Sequence, residues 1–425
     1  MSGYHRPFRL QGLRSDVDTG TAIFLFLAGA AALAYSAFHI GRRWAVGVQG
    51  QGVVTHSRPH QYGWYLVAWV LLPAGAVGFV GALLRITAWI RFTELAIVGS
   101  ALAAAGAGFW LGHRLLKPEL RARRTLEAIM RRLLLAAALV SILTTSGIVL
   151  SILFESIRFF QLVSFLEFIT GTDWAPDTAF TGASGGAEPH FGSVPLFAGT
   201  FMITLIAMLV ALPVGLLSAI YMAEYASRRV REVAKPVLEV LAGIPTVVYG
   251  FFAALTVAPL VVDIAGALGL DASYNSALAA GLVMGIMIIP FISSLSDDVI
   301  NSVPDALREG SYALGTTRSE TIRQIVLPAA LPGIISAFLL AVSRALGETM
   351  IVVMAAGLRP NLTWNPLEDM TTVTVRIVAA LTGDQAFDSA ATLSAFALGL
   401  ILFIVTLTLN LVSVILVRRF RQKYA

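Results

Sequence analysis

Apolar residues in this chain come in runs of about 20 or more, the length a helix needs to cross a bilayer core. Short polar segments rich in arginine separate them. The runs cover residues 20–41, 62–84, 94–116, 133–154, 196–223, 238–262, 277–296, 329–357 and 392–417, which predicts about nine spans. Each reads as a helix, because barrel strands would alternate apolar and polar positions over about ten residues and these runs do not alternate. The first run is no cleavable leader: it exceeds the usual hydrophobic region, and Arg42 and Arg43 follow it as a stop-transfer flank would.

Charge at the ends of the runs sets their direction. Lys117, Arg121, Arg123, Arg124, Arg131 and Arg132 crowd one connection, Arg228, Arg229, Arg231 and Lys235 a second, and Arg418, Arg419, Arg421 and Lys423 the C-terminus. By the positive-inside rule all three are cytoplasmic, and counting spans from them puts 297–328 in the cytoplasm too. The long segments 155–195 and 358–391 then face outward. The first carries turn-forming Gly171, Asp173, Pro176, Asp177, Gly185 and Gly186. The same count puts the N-terminus outside, although Arg6, Arg9 and Arg14 favour the cytoplasm. Residues 1–132 are expected to form an accessory region of about three spans with a basic linker, and 133–425 a core of about six.

Composition agrees with this picture. The chain is 57% hydrophobic and 13% charged, with a mean hydropathy of +0.79, so it lacks the polar surface of a soluble protein of 425 residues. Its formal charge of +5 is spread over span ends and not gathered on one polar face. That argues for topology and against nucleic acid as a partner. With no cysteine, thiolate metal sites, disulfides and cysteine nucleophiles are excluded. His56 and His60 are the only close histidine pair, and Pro59 between them argues against a helical ligand face, so no metal and no cofactor are expected. A catalytic site is not expected either, since no mid-span nucleophile and base stand together.

Two polar features break the apolar pattern where physics penalises it. Arg344 and Glu348 fall within the run 329–357, in Ser343-Arg344-Ala345-Leu346-Gly347-Glu348-Thr349. A charge at the bilayer centre costs about 2.5 to 3.5 kcal/mol on insertion scales, so neither side chain is expected to face lipid. On a continuous helix the two share one face and either pair with each other or line a polar path. The arginine fork suits an oxyanion, to which it donates two parallel hydrogen bonds. In Gly243-Ile244-Pro245-Thr246 a proline sits where a helix would begin, offering free N–H groups to an anion at Thr246. Pro213, Pro290 and Pro332 predict kinks within other spans. The stretch Thr371 to Thr382, with Arg376 among Val and Ile, reads as amphipathic, lying at the outer surface or dipping into it, and Arg376, Asp384 and Asp388 read as solvated or facing an external partner.

The second feature is the cytoplasmic hairpin Glu309-Gly310-Ser311-Tyr312-Ala313-Leu314-Gly315, followed by Ile325-Val326-Leu327-Pro328. Ser302 to Asp305 offer capping oxygens beside Pro304, and Gly315 allows a turn. An acid, two small residues, a Gly six positions on and then Ile-x-Leu-Pro resemble the EAA signature of ABC importer permeases. Gly310 and Ser311 stand where that signature has two alanines. Together with Ile244-Pro245-Thr246-Val247-Val248-Tyr249-Gly250 and Arg344-Ala345-Leu346-Gly347-Glu348-Thr349-Met350, the hairpin makes residues 133–425 similar to the PstC-type permeases of high-affinity phosphate ABC importers. PstA-type permeases are similar too.

That resemblance implies an all-α polytopic membrane protein, with a six-helix type I ABC importer (MetI-like) core and about three additional N-terminal transmembrane helices, in the bacterial inner membrane. It implies ATPase coupling through Glu309, Gly310, Ser311, Gly315, Ile325, Leu327 and Pro328, and a translocation path at Arg344, Glu348, Thr246 and Ser343. The partners it implies are a second, PstA-like permease, a PstB-like ATPase dimer, a PstS-like phosphate-binding protein outside, and membrane lipid. The chain has no Gly-x-x-x-x-Gly-Lys-Ser/Thr loop, so ATP is expected to bind elsewhere. Alternatives open at this level are a permease for sulfate, molybdate or phosphonate, and a non-transporting scaffold or sensor. An ion-driven transporter is disfavoured by the lack of an inverted repeat.

Overall fold

The computed structural model describes residues 19–86, 94–176, 189–382 and 389–424. Arg6, Arg9, Arg14, Asp177, Gly185, Gly186, Asp384 and Asp388 lie outside them. Among the described residues nine helices are long and apolar enough to cross a membrane. The chain divides into two compact units, residues 1–145 and 146–425.

The first unit is built on α1 (Thr19–Gly50), α2 (Pro59–Ile86) and α3 (Glu94–Arg114), followed by the beginning of α4 (Ala122–Leu162), which runs on into the second unit. Its core is small residues facing large ones: Ala37, Ala45 and Ala105 against Tyr62, Tyr65, Leu66 and Val70. Small residues let helices approach closely, which drives association in lipid, where no hydrophobic effect operates between spans.

The second unit continues with α5 (Phe165–Thr170) and a two-stranded hairpin, β1 (Trp174–Ala175) antiparallel to β2 (His190–Phe191), with Trp174 opposite Phe191. Phe159, Phe168, Trp174 and Phe191 form an edge-to-face aromatic cluster with Leu196, Val373 and Leu393. The spans are α6 (Val194–Ile220, extended by a π turn to Tyr225), α8 (Thr246–Phe252) running through a π turn into α9 (Ala258–Ala267), α10 (Ala277–Asn301), α13 (Leu327–Leu346) and α16 (Ala390–Tyr424). Between them lie α7 (Arg228–Ala242), α11 (Asp305–Ala313), α12 (Arg318–Thr321), α14 (Met350–Ala355) and α15 (Val373–Thr382). The core joins α6 and α10, with Ile203, Ala207, Met284 and Ile288 buried beside Tyr249, Ala341 and Ile351. Gly281 sets their spacing: a Cβ there would stand 2.7 Å from the Cβ of Ile206.

Two expectations need correction. The run 238–262 is not one span, because α7 ends at Ala242 and a new helix starts at Thr246 after Pro245, whose ψ of 135 is extended. The run 329–357 is also broken: α13 ends at Leu346 and α14 begins at Met350. On α15 the first turn is packed inward, with Val373, Thr374 and Val375 buried, Val373 N–H donating to Thr200 Oγ1 and Arg376 to the Leu358 carbonyl, while Val378 and Leu381 are exposed. Helices also outrun the apolar stretches, as α4 shows, because hydropathy marks only the bilayer core and a helix continues into its polar flanks.

Candidate coupling segment and membrane arginine

The segment 302–328 begins where α10 stops. Helix ends leave backbone carbonyls short of partners, and Arg308, on α11, donates to one carbonyl at the end of α10 and to one just beyond it. Its Nη1 donates to Val303 O at 2.6 Å and its Nη2 to Ile300 O at 2.9 Å. The same guanidinium grips the Glu224 carboxylate on the terminal π turn of α6, with Nε at 3.3 Å and Nη2 at 3.1 Å from Oε1. Glu224 is only 6% exposed, so this is a buried, charge-assisted pair. Capping by Ser302 to Asp305 does not occur. Ser302 donates back to Val299 O, Pro304 holds the cap position of α11 without a side-chain bond, and Asp305 pairs with Arg308 at 3.2 Å.

A second tie fixes α7. Asp297, buried on α10, accepts from Arg231 Nη2 at 2.9 Å and from Lys235 Nζ at 3.3 Å, while Asn301 donates to its other oxygen. Lys235 also reaches Asp298 at 2.9 Å. The Asp298 hydrogen bond, reinforced by Asp297, holds the Lys235 ammonium above its ordinary value against the opposing effect of burial. Arg231 and Lys235 stand four apart on one face of α7, so both reach the same carboxylate.

Of the expected coupling residues, Glu309 and Gly310 are exposed on α11, flanked by exposed Leu307 and Tyr312 and by Leu314, which is 86% exposed. Gly315 follows with φ +81, a left-handed turn that Gly adopts without strain. Ser311 is turned inward instead, into a hydroxyl triangle with Thr316 at 2.6 Å and Thr321 at 2.9 Å. Thr317 and Glu320 form a capping box that starts the next helix. Ile325, Leu327 and Pro328 are half-buried at the entry to α13, around a core of Val326, Ala219, Ile300 and Ala330. The segment therefore has an exposed face at Leu307 to Leu314 and a buried base.

Within the membrane, the expected face shared by Arg344 and Glu348 does not form. The helix ends between them, at Gly347, and Glu348 turns to accept from Met350 N–H at 3.1 Å. Its backbone carbonyl accepts from Thr374 Oγ1 at 2.8 Å. Arg344 has no ion pair among the described residues; it is exposed, and its cation stands 5.8 Å from the Phe291 ring centre. Ser343 points elsewhere, donating to Asn410 on α16 at 3.2 Å. Thr246 opens α8 and is half-buried. This point of α13 thus offers an anion the Arg344 guanidinium, and the break beside it bears a carboxylate.

Sequence reasoning missed Glu224, Asp297 and Arg308. The one sequence signal of Glu224 and Asp297 is an acid at the end of an apolar run, which alone does not name its partner, and Arg308 carries none. Among the described residues, no three His, Cys, Asp or Glu side chains are grouped as metal ligands would be.

Residues 211–425 match the family described as binding-protein-dependent transport system inner membrane component. Residues 27–97 match a second, described as phosphate ATP-binding cassette transporter. The probable ABC transporter permease protein YqgH of Bacillus subtilis (strain 168) is 33% identical over 289 residues, 67% of this chain and 89% of that protein. The phosphate transport system permease protein PstC of Mesorhizobium japonicum is 33% identical over 295 residues, 66% of this chain and 86% of that protein. The solved structure of a bacterial ABC transporter involved in the import of the acidic polysaccharide alginate aligns over 70% of this chain and 99% of that one, with 18% identity and a TM-score of 0.46. The fold is an all-helical type I ABC importer permease core preceded by further spans. The match that begins at 211 takes in Glu224, Asp297, Arg308, the coupling segment and Arg344, and the chain belongs to the family of binding-protein-dependent transport system inner membrane components.

Proposed function

We propose that this chain is a transmembrane permease subunit of an ATP-driven phosphate importer, forming the passage with a second, PstA-like permease. A PstB-like ATPase dimer docks below and a PstS-like binding protein delivers phosphate from outside. The chain itself performs no catalysis. Residues 133–425 serve as the permease domain and 1–132 as an accessory membrane region. The substrate reading is supported by the named phosphate permeases among the relatives and by the phosphate transporter family matched at 27–97.

One observation carries the mechanism: a surface segment tied by a buried ion pair to α6 and by a hydrogen bond to the end of α10 leads into the helix that bears Arg344, which has no ion pair among the described residues. Glu309, Gly310 and the apolar side chains Leu307, Tyr312 and Leu314 meet the ATPase; Gly315 sets the turn. Arg308 passes their displacement to α6 through Glu224 and to α10 through the Ile300 carbonyl. Ser311, Ile325, Leu327 and Pro328 keep the base of the segment rigid so that movement reaches α13 undiminished. Arg344 receives the phosphate oxyanion by charge-assisted hydrogen bonds, with Glu348, Ser343 and Thr246 framing the passage. Alternating access then follows from two states of one helical core, biased from outside by the binding protein and from inside by ATP.

Substitution of Glu309 and of Arg344, each by alanine, in cells that need this importer for phosphate tests the reading. Both variants are expected to lose uptake while the chain still reaches the membrane. Normal phosphate uptake in both would refute it.

A further inference from the structure

The loops that join α1 to α2 and α3 to α4 meet at one end of the N-terminal unit. Tyr62 donates to the carbonyls of Pro118 and Leu120 at 3.2 and 3.0 Å, His56 N–H donates to Pro118 O at 3.3 Å, and Arg123 N–H to Ser57 Oγ at 3.4 Å. Between the pinned loops is a cavity of about 710 Å³ lined by His56, Arg58, Arg121, Arg123 and Arg124 among others. Four arginines there face a single acid, Glu127, which is already taken by Arg123 at 2.8 Å. Arg58, Arg121 and Arg124 have no ion pair among the described residues. Concentrated positive charge held by a rigid loop pair, with no internal counter-charge, is complementary to a phosphate-bearing ligand.

A second, apolar hollow of about 510 Å³ shares Gln61, Arg123 and Glu127 with the first and runs along Leu126, Met130 and Leu134. These three lie on successive turns of one face of α4, pointing from the basic end into the apolar stretch. A charged cavity that opens into a greasy furrow at the bilayer edge has the two-part chemistry of a phospholipid. Free phosphate would leave the furrow unused. We propose that the N-terminal unit holds an anionic phospholipid of the cytoplasmic leaflet, with its headgroup phosphate among Arg58, Arg121 and Arg124 and one acyl chain along Leu126, Met130 and Leu134. The site does not depend on which solute the importer carries.

The test uses the full chain purified with its partner subunits, stripped of lipid and titrated with phosphatidylglycerol, phosphatidylcholine or inorganic phosphate under native mass spectrometry. Phosphatidylglycerol binds with a preference over phosphatidylcholine that falls about a hundredfold when Arg58, Arg121 and Arg124 all become Gln, at about fivefold per charge. The same three changed to Lys keep most of that preference. Met130→Trp fills the furrow and weakens lipid binding about tenfold or more, with the arginines intact. Equal retention of both lipids, or unchanged retention in the Gln triple variant, overturns the proposal. Inorganic phosphate displacing the lipid, combined with unaltered binding in Met130→Trp, overturns it in favour of a phosphate site. If the Gln variant does not fold, the Lys variant and Met130→Trp decide the matter alone.

Discussion

Replacing Arg308 by Ala should free α11 while leaving the membrane core intact. The change strips Glu224, 6% exposed, of its cation and leaves the Val303 carbonyl without its donor, while the Ile300 carbonyl keeps the Val303 N–H at 3.3 Å. Breaking a buried ion pair from one side costs about 3 to 5 kcal/mol, and the unsatisfied Val303 carbonyl about 1 to 3 kcal/mol where water cannot reach it. These losses overlap, so about 3 to 4 kcal/mol is the working figure. Ser311 is the only residue of α11 that is buried, so little else holds this helix down. A loss of that size raises the population of locally opened α11 by about two to three orders of magnitude. Hydrogen exchange in nanodiscs reads this directly: amides of 303–316 exchange faster in the variant, those of the α6–α10 core do not, and ATP-driven uptake falls. Glu224→Gln should reproduce the effect more weakly, and the double variant should cost less than the sum of the two. Wild-type exchange across α11 together with normal uptake in Arg308→Ala would refute the reasoning.

The other tie and the turns give further expectations. Gly315→Ala meets no steric neighbour, so its cost is the left-handed backbone alone, about 1 to 2 kcal/mol, and Gly315→Asn should cost less; equal exchange rates at 312–318 in both variants would contradict this. Asp297→Asn should release α7, seen as faster exchange over 228–242. Because the Lys235 pKa is raised in the fold, its share of that attachment is complete below the ordinary value of 10.5 and is lost only as pH climbs through the higher folded value. Loosening of wild-type α7 already at neutral pH would count against the assignment. Glu368 titrates in the opposite sense: hydrogen bonds from Thr363, Asn365 and Asn361 lower its pKa, so loop 359–370 is held above the ordinary value of 4.5 and released as pH falls through the lower folded value. Glu368→Gln should therefore show at pH 7 the loop exchange that the wild type reaches only in acid.

Spans were legible because bilayer thickness imposes a length on apolar runs, and that constraint is local in sequence. The breaks were less so. Leu238, Val240 and Leu241 before Pro245 and Val247 to Phe252 after it are apolar, with Glu239 the one charge, so hydropathy fused the end of the amphipathic α7 with a spanning helix. Gly347 likewise ends α13 in the middle of an apolar stretch, where the Glu348 carboxylate and Thr374 hydroxyl stabilise the interruption. The exposed acid and the left-handed glycine of the coupling segment could be read from their spacing. The Arg308–Glu224 clamp could not, because its partners lie 84 residues apart and only folding brings them together. Ser311 illustrates the remaining gap: a small polar residue on a short helix has no sequence mark that tells an inward hydroxyl from an outward one.

Reconstitution of this chain with its partner permease, ATPase and binding protein in proteoliposomes tests the central claim most directly. The account predicts ATP-dependent uptake of labelled phosphate that unlabelled phosphate suppresses, that sulfate and molybdate do not, and that Arg344→Ala abolishes while the complex stays assembled. Uptake that persists in Arg344→Ala, or that sulfate or molybdate competes away as effectively as phosphate, would contradict it.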